Sequence, residues 1–149
     1  RCPGPGRGVS RAVALDVGTR RIGVALSDSG GTVATPYQVV PRSGDRGRDH
    51  RHIAVLVDEA GAEVVVVGLP LSLDGSVGPA AQTILAEVDE LRAALPVEVV
   101  TWDERLSTVE AERSLRTMGV KKGNRRQVVD ELAATAILQS WLDAGQPRG

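Results

Sequence analysis

The chain has 149 residues, a net charge of −1 and 42% hydrophobic residues, with two Trp, one Tyr and no Phe. That length suits one well-cored domain and is short for two; the charge excludes a globally basic nucleic-acid binder, and the few aromatics leave little for base stacking. No apolar run approaches the roughly 20 residues of a membrane span, no signal-peptide pattern opens the chain, and the lone Cys2 excludes an internal disulfide, so a cytoplasmic protein without a membrane partner is expected.

Residues 1–10 form a Pro/Gly/Arg leader that reads as flexible. From Arg11 to Val17 a run of strand formers carries a single acid, Asp16, and breaks on a tight turn, Gly18-Thr19-Arg20-Arg21. A second strand, Ile22 to Ser27, and a third within Thr32 to Val40 complete an antiparallel meander, with Pro36 marking the third as an edge. Apolar positions 53, 56 and 57 predict a helix over His52 to Ala60, stopped by Gly61. Glu63 to Gly68 is a continuous β-branched run of the kind buried on both faces of a parallel sheet. A loop, Leu71 to Pro79, carries Asp74-Gly75 and leads to a helix over Ala80 to Ala94 with Ile84, Leu85, Val88 and Leu91 as its apolar stripe.

Val97 to Trp102 is the next strand, with Asp103 and Glu104 at its end. Ser107-x-x-Glu110 has capping-box form and opens a helix to Met118. Lys121 to Arg126 reads as a basic loop, Val128 to Ala144 as the last helix, and 145–149 as a tail. The order βββαβαβαα predicts a single mixed α/β domain over 11–144, in three layers.

Acids in apolar surroundings are the candidates for chemistry. Asp16 in a central strand is unfavourable unless hydrogen bonds or a cation compensate it; as Asp before Gly it also fits a turn cap. Asp103 and Glu104 stand at a strand's C-terminal end, where open α/β sheets place their sites. Strand alternation turns them to opposite faces, so only one readily joins Asp16. Asp130 shares a helical line with Ala134, Ile137 and Trp141, an inward face, although a carboxylate in a first turn is also favoured by the helix dipole; Glu131 lines up with Thr135, Leu138 and Leu142.

Three such acids can converge into an oxygen cage for hard divalent cations, two of which, roughly 3.5–4 Å apart, support in-line phosphodiester hydrolysis. The lack of a Cys/His cluster argues against zinc. His50 and His52, two apart at a helix start, read as surface residues.

Taken together, Leu15-Asp16-Val17-Gly18-Thr19, Val67-Gly68-Leu69-Pro70, Asp74-Gly75, Asp103 to Ala111 (DERLSTVEA) and Val129-Asp130 with Ala133-Ala134 and Ile137-Leu138 resemble the YqgF/RuvX family over about Arg11 to Leu142. Its members are described as Holliday-junction-resolvase-like and as pre-16S rRNA nucleases. The resemblance implies an RNase H-like fold, with an antiparallel three-strand meander plus two parallel strands in a five-stranded sheet flanked by helices. It also implies a Mg²⁺- or Mn²⁺-dependent nuclease, with two ions, acting on pre-16S rRNA or branched DNA. Carried over by position, it makes Asp16, Glu104 and Asp130 the catalytic and metal-binding acids, with Asp103, Asp28 or Asp74 as a fourth.

Phosphate contacts fall to basic residues beside those acids: Arg20, Arg21, Arg105, Lys121, Lys122, Arg125 and Arg126, with Arg46, Arg48 and Arg51 as a further group. A two-fold junction would suit a homodimer. Two other functions fit parts of the pattern. One is a module that holds junction or precursor without cutting it. The other is an actin-like or sugar-kinase ATPase, whose phosphate hairpin also reads Asp-x-Gly-Thr, but those proteins duplicate the domain and this chain has one copy.

Overall fold

The protein is described by a computed structural model over residues 11–107 and 124–148, with the helical backbone alone for 124–131. Strands β1 (Ala12–Val17), β2 (Arg21–Ser27) and β3 (Ala34–Pro41) form the meander, followed by helix α1 (Arg46–Ala60), β4 (Val64–Leu69), α2 (Pro79–Ala94) and β5 (Glu98–Asp103). A 3-10 turn, Glu104–Leu106, and the long helix α3 (Asn124–Asp143) complete the described elements. The sheet order is β3-β2-β1-β4-β5, with β1 antiparallel to β2 and parallel to β4, and β4 parallel to β5. This is the mixed five-stranded sheet that the sequence predicts.

Alternation along the strands divides the interior into two cores. Val13, Leu15, Val65, Val67 and Val99 face α1 and α2, where they meet Ile53, Leu56, Val57, Val88 and Leu91. Ala12, Ala14, Val64, Val66 and Val100 face α3, where they meet Ala134, Ile137, Leu138 and Trp141. The strands facing α3 carry small residues, which lets the helix lie close to the sheet. Pro36 falls on edge strand β3 as expected, beside the register shift opposite Val24 and Ala25, so its missing N–H breaks no interior ladder.

Two helices begin earlier than their apolar patterns predict. Helix α1 starts at Arg46 rather than His52, capped by Asp45, whose carboxylate accepts from Arg48 N at 3.2 Å. Its first turns bury polar residues, so the hydrophobic periodicity begins only at Ile53. In consequence His50, expected on the surface, is buried at 3% exposure; His52 is exposed. Helix α3 starts at Asn124 rather than Val128, which places Arg125 and Arg126 on a helix instead of in a basic loop. The expected helix from Ser107 to Met118 lies, beyond Ser107, outside the described residues, as do Lys121 and Lys122. Among the described residues no helix is long and apolar enough to cross a membrane.

Candidate active site

Parallel strands β1, β4 and β5 end at the same edge of the sheet, and of the candidate acids Asp16, Asp103 and Glu104 stand there. Asp16 lies on the central strand, paired with Gly23 of β2, and is 4% exposed. On its other side β1 runs level with β4, Leu15 beside Val67, so one residue further on Asp16 stands beside Gly68. Gly68 in turn pairs with Trp102 of β5. Alternation turns Asp16, Gly68 and Trp102 toward α3.

Glu104 closes over the same point. It opens the 3-10 turn that leaves β5 and is 5% exposed. An ideal Cβ built on Gly68 would come 2.9 Å from Glu104 Oε2 and 3.1 Å from its Cγ, and would also collide with Ile137 of α3. The Glu104 side chain therefore occupies the space that a side chain at position 68 would need, next to Asp16. Asp16 and Glu104 each interact with another residue.

The turn carrying Glu104 is held from three sides. Asp103 accepts from Arg105 N at 2.9 Å, and Ser107 donates from both N (3.0 Å) and Oγ (2.9 Å) to the Glu104 carbonyl. Ser140 of α3 donates to the Leu106 carbonyl at 2.7 Å and accepts from Trp102 Nε1 at 2.9 Å. A cavity of about 680 Å³ opens beside this contact, between Trp102, Leu106 and Ser140.

The other predicted residues are placed differently. Asp103 shares the face of Val99, so it points away from Asp16, toward the α1–α2 side. Its carboxylate is gripped by Arg105 through Nε and Nη2, the latter at 2.7 Å, and this pairing holds its pKa below the usual carboxylate value. Arg105 also donates from Nη1 to the Leu73 carbonyl at 3.0 Å, which ties the 71–76 loop to the site edge. Asp74 lies in that loop and accepts from Ser76 N at 2.9 Å. Asp28 sits at the opposite end of the sheet, where it caps a turn by accepting from Thr32 and Val33 backbone N–H groups. Arg20 is exposed and Arg21 half-buried in the turn just beyond Asp16.

Asp130 lies on α3 one turn before Ala134, whose line with Ile137 and Trp141 is fully buried against the sheet. The side chains of Asp130, Arg125 and Arg126 lie outside the described residues. Among the described residues no three His, Cys, Asp or Glu side chains converge as a metal cluster. Asp16 and Glu104, both buried and both bordering Gly68, which has no side chain, carry the hard oxygen chemistry that Mg²⁺ and Mn²⁺ take.

The sequence model described as "RuvX: Holliday junction resolvase" matches residues 10–144. The chain belongs to the RuvX family. Among its relatives is a protein of Desulforudis audaxviator, 46% identical over 134 residues, which cover 90% of this chain and 94% of the relative. Another, of Mycobacterium ulcerans, is 50% identical over 142 residues, 95% of this chain and 82% of the relative. Both carry the name pre-16S rRNA nuclease. Among solved structures the chain is similar to Thermus thermophilus RuvC, with a TM-score of 0.55 at 16% identity over 93% of this chain and 98% of that one. A second RuvC structure, in complex with a Holliday junction substrate, gives 0.51 at 17% identity. The RuvX chain thus has the RNase H-like fold of RuvC.

Sequence reasoning missed a second polar cluster at this edge. Arg42, just after β3, donates from Nη1 and Nη2 to Glu87 of α2 at 2.7 and 2.8 Å, and His50 Nε2 lies 2.7 Å from Glu87 Oε2. Burial pushes the Glu87 carboxyl up, but the hydrogen bonds from Arg42 and His50 outweigh it and hold the pKa below its ordinary 4.5. The available signal was Glu87 itself, an acid adjoining the apolar stripe of α2.

Proposed function

We propose that this chain is a divalent-metal-dependent nuclease that hydrolyses phosphodiester bonds of structured nucleic acid, at the 5′ end of pre-16S rRNA, in Holliday junctions, or in both. The observation that carries the proposal is that two buried acids border Gly68, Asp16 by strand register and Glu104 by the space its side chain fills there. Family membership and the names of the relatives support it.

Asp16 and Glu104 would hold Mg²⁺ or Mn²⁺, with Asp130 of α3 completing the set and two ions as the expected number. When bound, such ions supply an activated water and neutralise charge on the leaving oxygen. The protein's own part is to fix the carboxylates. Asp16 is set by its ladder with β2, and Glu104 by the Ser107 and Ser140 contacts on its turn. Arg20, Arg21, Lys121, Lys122, Arg125 and Arg126 would meet phosphates and position the strand without reading bases. Arg105 already grips Asp103 and the Leu73 carbonyl, so its first task is to position the loop. The protein acts in the cytoplasm on this reading, and a homodimer would present two sites to a two-fold junction.

The test is a side-by-side assay on a 16S rRNA precursor and a four-way DNA junction with Mg²⁺, Mn²⁺ or EDTA. Cleavage that needs metal and disappears in Asp16→Asn, with the circular dichroism spectrum unchanged, is the expected result. Wild-type activity in Asp16→Asn would sink the mechanism. Tight binding in EDTA with no products under any condition would favour a non-cleaving binding module.

A further inference from the structure

We propose that Arg42 is a positioning residue for substrate binding: clamped by Glu87 and His50, it fixes the Gly18–Arg21 turn so that Arg20 meets a phosphate of the bound strand. This rests on the nucleic-acid reading above and goes beyond it, because Arg42 lies on the α1–α2 side of the sheet, behind the acids.

Arg42 is tied to the turn twice. Its Nε donates to the Gly18 carbonyl at 3.0 Å and its backbone N to the Arg20 carbonyl at 2.9 Å. Each of its terminal nitrogens donates to Glu87, which is 4% exposed and is backed by His50 at 3%, and Nη1 also lies 3.9 Å from buried Asp49. Three separate parts of the chain, the loop after β3, α1 and α2, therefore converge on two carbonyls of one four-residue turn.

A buried ion pair of this kind contributes little net stability, since well-packed apolar groups often replace such pairs without loss. What it supplies is direction. The bidentate fork fixes the guanidinium plane and leaves Nε aimed at Gly18.

The turn needs that external tie. Internally it is closed by Gly18 N donating to the Arg21 carbonyl at 3.0 Å, and a side chain at Gly18 is excluded because its Cβ would come 2.7 Å from that same oxygen. Thr19 and Arg20 at the tip are exposed. Asp16 itself does not depend on Arg42, because its ladder with β2 already pairs it with Gly23 and Val17 with Ile22. The effect of Arg42 therefore falls on the tip, and on binding rather than on bond cleavage.

The experiment is a double-mutant cycle in steady-state, Mn²⁺-dependent cleavage of whichever substrate, 16S precursor or four-way junction, the wild type cuts. Arg42→Met should raise KM about tenfold, the scale of ordering one long side chain, with kcat within twofold. Arg42→Lys should stay impaired, because a single ammonium cannot reproduce the two-point fork on Glu87 together with a separate donor aimed at Gly18, whereas a role for net charge alone would restore it and overturn the proposal. In an Arg20→Met background the Arg42→Met change should cost less than twofold more. Additive effects, or a fall in Tm with KM unchanged, would overturn it. Should Arg42→Met fail to fold, Glu87→Gln, which keeps shape but loosens the fork, is expected to raise KM in the same Arg20-dependent way. If neither substrate is cut, the nuclease reading fails separately, and the same cycle is read from filter-binding Kd in EDTA, with coupling or additivity deciding as before.

Discussion

A methyl group on Gly68 would need the space held by Glu104 Oε2, 2.9 Å from the ideal Cβ position, and by the end of Ile137. Neither neighbour yields without consequence, because Ile137 is fully buried between α3 and the sheet and Glu104 is pinned through its turn. Gly68→Ala should cost about 1–3 kcal/mol of stability by overpacking, read as a lower urea midpoint. It should also push the Glu104 carboxylate away from Asp16 and reduce single-turnover cleavage at least tenfold. Glu104→Gln separates the two effects, because it keeps the packing. It should lose cleavage while retaining a wild-type urea midpoint to within a fraction of the Gly68→Ala shift. If Gly68→Ala keeps full activity, the shared space over Gly68 is not where the chemistry occurs.

Elements differ in how far their residues announced them. The β1 and β4 strands were legible because β-branched and small apolar runs have few alternatives, and the position of Asp16, Asp103 and Glu104 at strand ends was legible because a carboxylate there stands against its surroundings. That Glu104 and not Asp103 lies on the face of Asp16 was not legible, since alternation says the two differ but a strand boundary displaced by one residue reverses which is which. The first turns of α1 were missed for another reason. They bury Asp49, 3.9 Å from Arg42 Nη1, and His50 against Glu87, and a pattern of apolar residues cannot register a polar contact made 37 positions away in sequence.

That contact predicts an acid response. Glu87 has its pKa lowered in the folded state, so it contributes stability that is present above its ordinary 4.5 and is lost as pH falls through the lower folded value. Urea midpoints of the wild type should therefore fall from about pH 5 downward more steeply than those of Glu87→Gln, although the variant starts less stable at neutral pH. Parallel curves would show that the Arg42–Glu87–His50 cluster adds nothing to acid stability.

Across the whole molecule a net charge of −1 gives no general attraction to a polyanion, so binding must come from where the cations stand. Two groups compete. Arg20 and Arg21 project at the strand edge next to Asp16, whereas exposed Arg48 and Arg51 lie on α1, the helix layer opposite α3. Asp16 and Glu104 lie on the α3 side, so on the proposed nuclease reading a strand that reaches them meets the Gly18–Arg21 turn before α1. Each phosphate contact contributes about 0.7 (single strand) to 0.9 (duplex) to the slope of log K against log salt. Replacing Arg20 and Arg21 by Gln should therefore flatten that slope by about 1.4–1.8, and the Arg48, Arg51 double variant should leave it unchanged. The opposite pattern, measured by filter binding in EDTA so that cleavage does not intervene, would move the nucleic acid onto the α1 layer and detach the basic turn from the acids it adjoins.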